Sequence, residues 1–478
     1  MIKQTLRTAL AAAMLLSAVG CKEKKANEET AAVGSVADVQ MMRAATGDRT
    51  VFASGTRVVV DETNFPDEIF RAYVSEHIDR DQNGELDEEE ILAVREIDVS
   101  DSQIVDLTGI EFFPTLECLK CYGNKLTRLD VSCNEYLQEL YCGDNWAIKT
   151  LDLSHNKNLR VLNCNGSNGY RNRWDGDILD EYIDWCFSCG EGSGMIEVAT
   201  TGSIPMLDTK VLFCVSRGML SALDVTQCPK LEYLDCSNTQ LTRLDVSHNP
   251  ALKYLVCRNV RLTSLAVAWN PSLQFLDCSS NELVTLDLRF NPALWYLNCD
   301  SNELTLLGLD PNSSLEYIRC KDNRLTDLDV TQCPSLLWLH CSGNELATLD
   351  LSANPRLEML FCNANILQTL DISHNPALYE LECINNQMKT LDVSGNPELS
   401  YLKCSGNELE HLDVSACPKL KRLYCENTPP QEFDLSQNPE LELLRCDKDD
   451  EVKGANEECD IEYDESGRFH IFYDGNAY

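Results

Sequence analysis

Histidine is scarce in this chain, at 7 of 478 residues, and cations are outnumbered, with 40 lysines and arginines against 77 aspartates and glutamates. A net charge of −37 argues against nucleic acid as a partner, because attraction to phosphate dominates that kind of binding. Long apolar runs are missing too: after the N-terminal segment no stretch approaches the ~20 residues that a membrane-spanning helix needs. The chain contains no Gly-x-Ser-x-Gly, no His-Glu-x-x-His and no glycine loop suited to cradling phosphate. Three of its histidines, His155, His248 and His374, recur at one repeat position as ordinary variable residues. These absences lead us to expect a protein that is not an enzyme.

What is present begins with an export signal. Lys3 and Arg7 precede the apolar run Ala9 to Leu16, which is too short to span a bilayer and reads as a signal peptide over residues 1–20. Ser17-Ala18-Val19-Gly20-Cys21 resembles the lipobox of bacterial lipoproteins, with Ala18 where that pattern more often has leucine. The resemblance implies a lipid on Cys21 as the only membrane attachment; an ordinary signal cut would instead leave Cys21 a free thiol. Residues 21–56 are polar, rich in small residues and aperiodic, as a flexible stalk would be.

Twenty-four cysteines in an exported chain would ordinarily suggest a disulfide framework, but their spacing points elsewhere. From Cys236 to Cys446 a cysteine recurs every 21 residues, the mark of a stacked repeat. Cys121, Cys142, Cys164 and Cys214 are earlier members and Val99 fills the slot first, giving sixteen coils over residues 94–446, with an irregular insertion at 166–206 that has room for one more. A typical coil, Leu273 to Leu283, reads L-x-x-L-x-C-x-x-N-x-L and is followed by a return arm carrying Leu286-Asp287-Leu288 and Asn291-Pro292. Period-2 alternation turns Leu276 and Cys278 inward on a short strand and Phe275, Asp277 and Ser279 outward. The expected fold class is α/β: a leucine-rich-repeat solenoid with one parallel sheet on its concave face. A small helical cap at 57–93 would precede it, and a hairpin-like cap at 447–478 would follow. The short return arm predicts an extended or turn-like back.

Cysteine in place of the third leucine, at this period, resembles the cysteine-containing internalins, and the match covers roughly residues 94–446. The resemblance implies adhesion or binding of host proteins by a bacterial surface protein. Those internalins carry a C-terminal sorting signal that Cys459 to Tyr478 does not resemble, so a lipid-anchored, outward-facing relative is expected, with a matrix protein or a periplasm-facing scaffold as alternatives. In-register inward side chains run parallel and do not converge as a disulfide requires, so the ladder is read as buried free thiols. Cys228, Cys333 and Cys417, each before proline, likewise read as structural. Trp185-Cys186-Phe187-Ser188-Cys189 resembles the thioredoxin motif but has no surrounding βαβ pattern; a local disulfide or two structural thiols are favoured over a redox module.

Residues 79–90, Asp-Arg-Asp-Gln-Asn-Gly-Glu-Leu-Asp-Glu-Glu-Glu, match the EF-hand loop. Calcium would take side-chain oxygens from Asp79, Asp81 and Asn83, the Glu85 carbonyl, Asp87 through water and both oxygens of Glu90, while Gly84 permits the turn. Flanking Phe65, Phe70, Tyr73, Val74 and Ile78 before the loop, and Ile91, Val94 and Ile97 after it, give an apolar face. With one hand visible, the ion is expected to close the solenoid's end and not to act as a sensor.

The position before the second leucine holds Tyr233, Tyr254, Phe275, Tyr296, Tyr317, Trp338, Met359, Glu380 and Tyr401 in successive coils. Such a stripe, widened by Trp295, Leu337, His340, Phe361 and Tyr379 and rimmed by Asp235, Asp277, Arg319, Glu382 and Lys403, suits a protein or glycan ligand. The same rings could instead simply stack and stabilise the sheet. Aspartates recurring on the return arm, such as Asp287, Asp350 and Asp371, are each expected to accept a backbone hydrogen bond from the following turn.

Overall fold

The structure is a computed structural model that describes residues 57–145, 147–166, 218–429, 432–455 and 459–464. The signal segment, Cys21, the stalk, and Cys186, Cys189 and Cys214 lie outside the described residues. Sixteen strands, most of them three residues long, form one sheet in chain order from Glu96–Asp98 to Asp460–Asp464. Every neighbour is parallel and in register by one coil: Tyr254 lies opposite Phe275, which lies opposite Tyr296, then Tyr317, then Trp338.

The alternation predicted from sequence sets the core. Leu255, Leu276, Leu297, Ile318 and Leu339, at the middle of successive strands, are fully buried, as are the ladder cysteines from Cys236 to Cys446. Leucine at 273, 294, 315, 336 and 357 adds a second fully buried column. A lone strand-turn unit of this kind could not bury its apolar side; stacking on neighbours does so, which is why the repeat persists.

Polar side chains hold the turns. Nδ2 of Asn302 donates to the carbonyls of Cys278, Cys299 and Asp300 at 3.0 to 3.2 Å, and its Oδ1 accepts from Leu283 N at 3.1 Å. Asn281, Asn323, Asn344 and Asn365 repeat the arrangement, as expected for buried turn amides. On the return arm a second ladder does similar work: Asn291 Nδ2 donates to Val267 O and Asn270 O, both at 2.9 Å. Cys417 stands in this second column and its Sγ lies 3.6 and 3.7 Å from the equivalent carbonyls of Val393 and Asn396. The return-arm aspartates behave as expected, Asp371 Oδ1 accepting from Ser373 N at 3.0 Å and from Ser373 Oγ at 2.7 Å. The back is extended, with short parallel pairs such as Thr285–Asp287 against Leu306–Gly308. Among the described residues α-helix occurs only before the first sheet strand, and no helix is long and apolar enough to cross a membrane.

Two boundaries differ from expectation. Strand Val161–Asn163 pairs directly with Tyr233–Asp235, so no rung from the Cys214 segment stands between them. The chain leaves after Gly166 and rejoins at Gly218, whose amides donate to Ser237 O and Asn238 O of the next coil, and the ladder continues unbroken. A Cβ on Gly166 would fall 2.7 Å from Gly218 Cα, so exit and re-entry pass only because both residues are glycine. Cys214, expected as a ladder member, lies outside the described residues, and the described ladder passes from Cys164 to Cys236. At the other end, Asp460–Asp464 runs parallel to Leu443–Asp447, and Glu451–Lys453 runs parallel to Glu432–Asp434. Through residue 464 the tail therefore adds another coil where a hairpin was expected, because stacking in parallel satisfies the edge of the last rung.

Candidate functional site

The cap preceding the sheet is built from β1 (Val58–Val59), α1 (Glu68–His77), β2 (Glu85–Leu86) and α2 (Glu88–Ala93). Helix α1 starts at Asp67, whose Oδ1 accepts from Ile69 N and Phe70 N at 3.0 Å. The other oxygen of Asp67 accepts from Val105 N at 2.9 Å, so one side chain both caps the helix and joins it to the first coils. Phe65, Phe70, Val74, Ile78 and Ile91 are buried as expected, Phe65 meeting Phe112 edge-on at 5.7 Å, while Tyr73 and Val94 are half-buried.

Between the helices the loop folds as its spacing dictates. Asp79, Asp81 and Glu90 bring carboxylate oxygens within 4.8 Å of one another, with Asp79 and Glu90 buried. Glu90 Oε1 accepts from Arg80 N at 2.7 Å and Asp79 Oδ2 from Gly84 N at 2.9 Å, and Gly84 holds φ +83°. Asn83 Nδ2 donates to Asp81 Oδ2 at 2.8 Å. Glu85 sends its carboxylate away to Arg57 at 3.0 Å, which leaves the backbone as its only contribution to the loop interior. Asp87 is the N-cap of α2, accepting from Glu90 N at 2.9 Å while Glu90 Oε2 accepts from Asp87 N at 3.0 Å. This donor set, three carboxylates and an amide oxygen around a sharp turn, suits a hard cation with oxygen ligands. Strand β1, which no sequence pattern announced, pairs antiparallel with β2, Val58 facing Leu86, and both of those side chains are out of water.

On the sheet, the aromatic stripe is continuous but not open. Tyr254, Trp295 and Tyr401 are half-buried, whereas Tyr233, Phe275, Tyr296, Tyr317, Trp338, His340 and Phe361 are buried, Trp338 to 1 % exposure. Expected exposure therefore fails at seven of ten positions. Rungs about 4.8 Å apart force adjacent rings together. Phe275 and Tyr296 stack at 4.3 Å with an interplanar angle of 2°. Trp295 lies edge-on to Phe275, Tyr296 and Tyr317 at 5.9 to 6.2 Å. Arg319 sits over Trp338 at 5.6 Å, and Phe361 meets both Trp338 and His340. The stacking that sequence reading offered as an alternative is thus present in full.

None of the twenty described cysteines is in a disulfide, and the ladder from Cys236 to Cys446 lies buried behind the stripe. Sγ of Cys299 points at Arg319 O at 3.2 Å and that of Cys425 at Arg445 O at 3.3 Å, each thiol a weak donor to the next coil. Burial, then the neighbouring thiols, pushes Cys299 and Cys320 well above the ordinary thiol range, which leaves them poor nucleophiles and metal ligands. No protein-family model matches the chain, and no curated protein matches it. Among solved structures, it is similar to the functional domain of InlJ from Listeria monocytogenes, described as including a cysteine ladder. Identity there is 32 %, the TM-score is 0.66, and the match covers 82 % of this chain and 76 % of that one. The chain belongs to the internalin family. A leucine-rich-repeat protein of Leptospira interrogans shares the fold at 20 % identity and TM-score 0.58, over 78 % of this chain and 96 % of that one.

This internalin carries a polar column beside its aromatic stripe. Arg319 Nη2 lies 2.6 Å from Asp300 Oδ2, and Lys403 Nζ lies 2.8 Å from Glu382 Oε1, both pairs almost fully buried. Burial raises the Asp300 carboxyl above its usual range even with Arg319 beside it. Farther along, Arg445 covers the ring of Tyr424 at 5.5 Å and Lys403 approaches Tyr401 at 5.1 Å. Tyr424, half-buried, and Arg422, exposed, extend the accessible end of the face. Neither was expected from the sequence, although Tyr424 holds the same strand position as Phe361 three coils earlier.

Proposed function

We propose that this chain is a non-catalytic binding protein that engages a protein partner through the outward face of its sheet, in adhesion or host interaction. The observation that carries this reading is the unbroken aromatic stripe from Tyr233 to Trp338 on an in-register parallel sheet, with Tyr254 and Trp295 reachable at its surface and Tyr401 reachable two rungs past Met359. Similarity to the InlJ functional domain supports it. The residues before and at Cys21 support display from a lipid anchor on the bacterial surface. A test is an array of extracellular proteins and glycans probed with residues 57–478. A protein ligand bound by the wild type and lost when Tyr254, Trp295 and Tyr401 are replaced by alanine, in a chain whose circular dichroism shows the fold retained at the assay temperature, is the expected result; binding that survives those changes overturns the proposal.

A second reading concerns the cap. Asp79, Asp81 and Glu90, with Asn83 and the Glu85 carbonyl, would hold one calcium ion whose charge neutralises the buried carboxylates and closes α1 against α2. The cap packs on the first coils through Phe65 against Phe112 and through Asp67 to Val105 N, so the ion would stabilise the solenoid's first coils.

A further inference from the structure

Nine large apolar side chains are exposed among the described residues, and four of them, Trp269, Val284, Phe290 and Leu306, fall on the return arms of three consecutive coils. Trp269 is 68 % exposed and Phe290 56 %. They hold the same return-arm position one repeat apart, where the coils on either side carry His248 and Pro311. Each directly precedes an asparagine of the return-arm ladder. Asn291 Nδ2 donates to Asn270 O at 2.9 Å, so the backbone segments that carry the two rings are locked one rung apart. The rings of the sheet face stack on one another, but neither of these has an aromatic neighbour among the described residues. A single exposed ring is ordinary; two in register on a rigid arm make a surface.

The polar surroundings are as particular. The aspartates that recur along the return arms, Asp224 and Asp245 before this region and Asp329 to Asp434 after it, give way to Ala266 in the coil of Trp269 and to Gly308 in the coil after Phe290. Between those two stands Asp287, which Arg289 holds at two points, Nε to Oδ1 at 2.9 Å and Nη2 to Oδ2 at 2.8 Å. The acidic ridge is therefore interrupted, and its one remaining member neutralised, over the three coils that expose the rings.

We propose that Trp269 and Phe290 form a platform for a neutral linear glycan, two consecutive pyranose rings resting on the two aromatic faces while the Asp287 and Arg289 pair hydrogen-bonds their hydroxyls. The C–H face of a pyranose packs on the electron-rich face of an aromatic ring, and each sugar advances the glycan by close to the rung spacing of ~4.8 Å. The carboxylate accepts from a hydroxyl, and the Arg289 N–H groups not committed to Asp287 donate to one. A protein partner needs more area: two rings of roughly 200 Å² each fall short of the roughly 800 Å² per side of a stable interface. Acidic sugars and an anionic bilayer are repelled by Asp245 and Asp329 on the flanks. The platform lies on the return arms, so it is independent of recognition through the sheet.

The probes are cellohexaose, maltohexaose and the chitin hexamer, titrated into the purified protein while the tryptophan indole N–H signals are followed by NMR and affinities are measured by calorimetry. Trp269→Ala removes one indole signal and so identifies the reporter. We expect at least one of the three sugars to shift the Trp269 signal saturably, with affinity about tenfold weaker in Phe290→Ala and in Trp269→Ala, and weaker binding of a galacturonate hexamer than of the neutral sugar. Both substitutions are at exposed positions, and circular dichroism verifies that the fold is retained. No saturable shift with any of the three neutral hexasaccharides overturns the platform, as does an unchanged affinity in Phe290→Ala or a galacturonate hexamer that binds as tightly. Sugar binding lost on replacing Tyr254, Trp295 and Tyr401 but undiminished in Trp269→Ala would place the glycan on the sheet and overturn it equally.

Discussion

Glu90→Gln separates the calcium reading from the loop's intrinsic stability. Without any ion, Glu90 already accepts two backbone hydrogen bonds, from Arg80 N at 2.7 Å and Asp87 N at 3.0 Å, and is buried. Glutamine keeps one carbonyl oxygen and turns its amide donor toward the other backbone N–H, so the substitution itself costs about 1–3 kcal/mol. A fall in melting temperature alone therefore proves nothing about calcium. Calcium present at a thousand times its dissociation constant adds about 4 kcal/mol to whatever unfolds with the cap. The informative quantity is the difference between saturating calcium and excess chelator, measured by thermal unfolding for both chains. We expect a wild-type difference on the scale of that linkage, collapsing in Glu90→Gln on top of a constant loss. Wild-type melting that ignores the chelator would refute the reasoning, as would a Glu90→Gln chain that still responds fully to calcium.

Other outcomes follow from the ladders. Asn302→Ala leaves Leu283 N buried without its acceptor, while the carbonyls of Cys278 and Cys299 keep Asn281 and Asn323 as donors, a loss of about 1–3 kcal/mol readable by denaturant unfolding. Alkylation of the native chain followed by mass spectrometry should label Cys118, Cys133 and Cys459, which are half-buried, and spare the ladder from Cys236 to Cys446 until denaturant is added. His340 stays neutral in the fold because burial, Arg319 and Lys321 hold it well below its ordinary value of 6.5. Its unfolded form takes up a proton first, so stability falls as pH drops below about 6.5, and His340→Gln should flatten that part of the profile.

The repeat was legible because its signal is local and redundant: a fixed period and one inward leucine and cysteine per strand specify the sheet, its register and the thiol ladder. The EF-hand spacing likewise placed Asp79, Asp81 and Glu90 together. What sequence could not supply was pairing over distance. Cys214 has a ladder-like neighbourhood, yet Val161–Asn163 finds Tyr233–Asp235 directly. Two residues, Val58 and Val59, carry too little pattern to announce a strand. Alternation told which way Tyr296, Tyr317 and Trp338 point but not whether they are covered, since burial on that face depends on rings from other rungs. His340 shows the same limit: its buried Nδ1, without a hydrogen-bond partner among the described residues, is a property of its surroundings.

Placing a photoreactive benzoylphenylalanine at Tyr401, half-buried on the sheet face, and separately at Trp269, 68 % exposed on the return arm, tests the central claim most directly. Irradiation in the presence of the array-identified partner should give a covalent adduct from position 401 and none from position 269. Equal crosslinking from both positions, or crosslinking from 269 alone, would contradict recognition through the sheet.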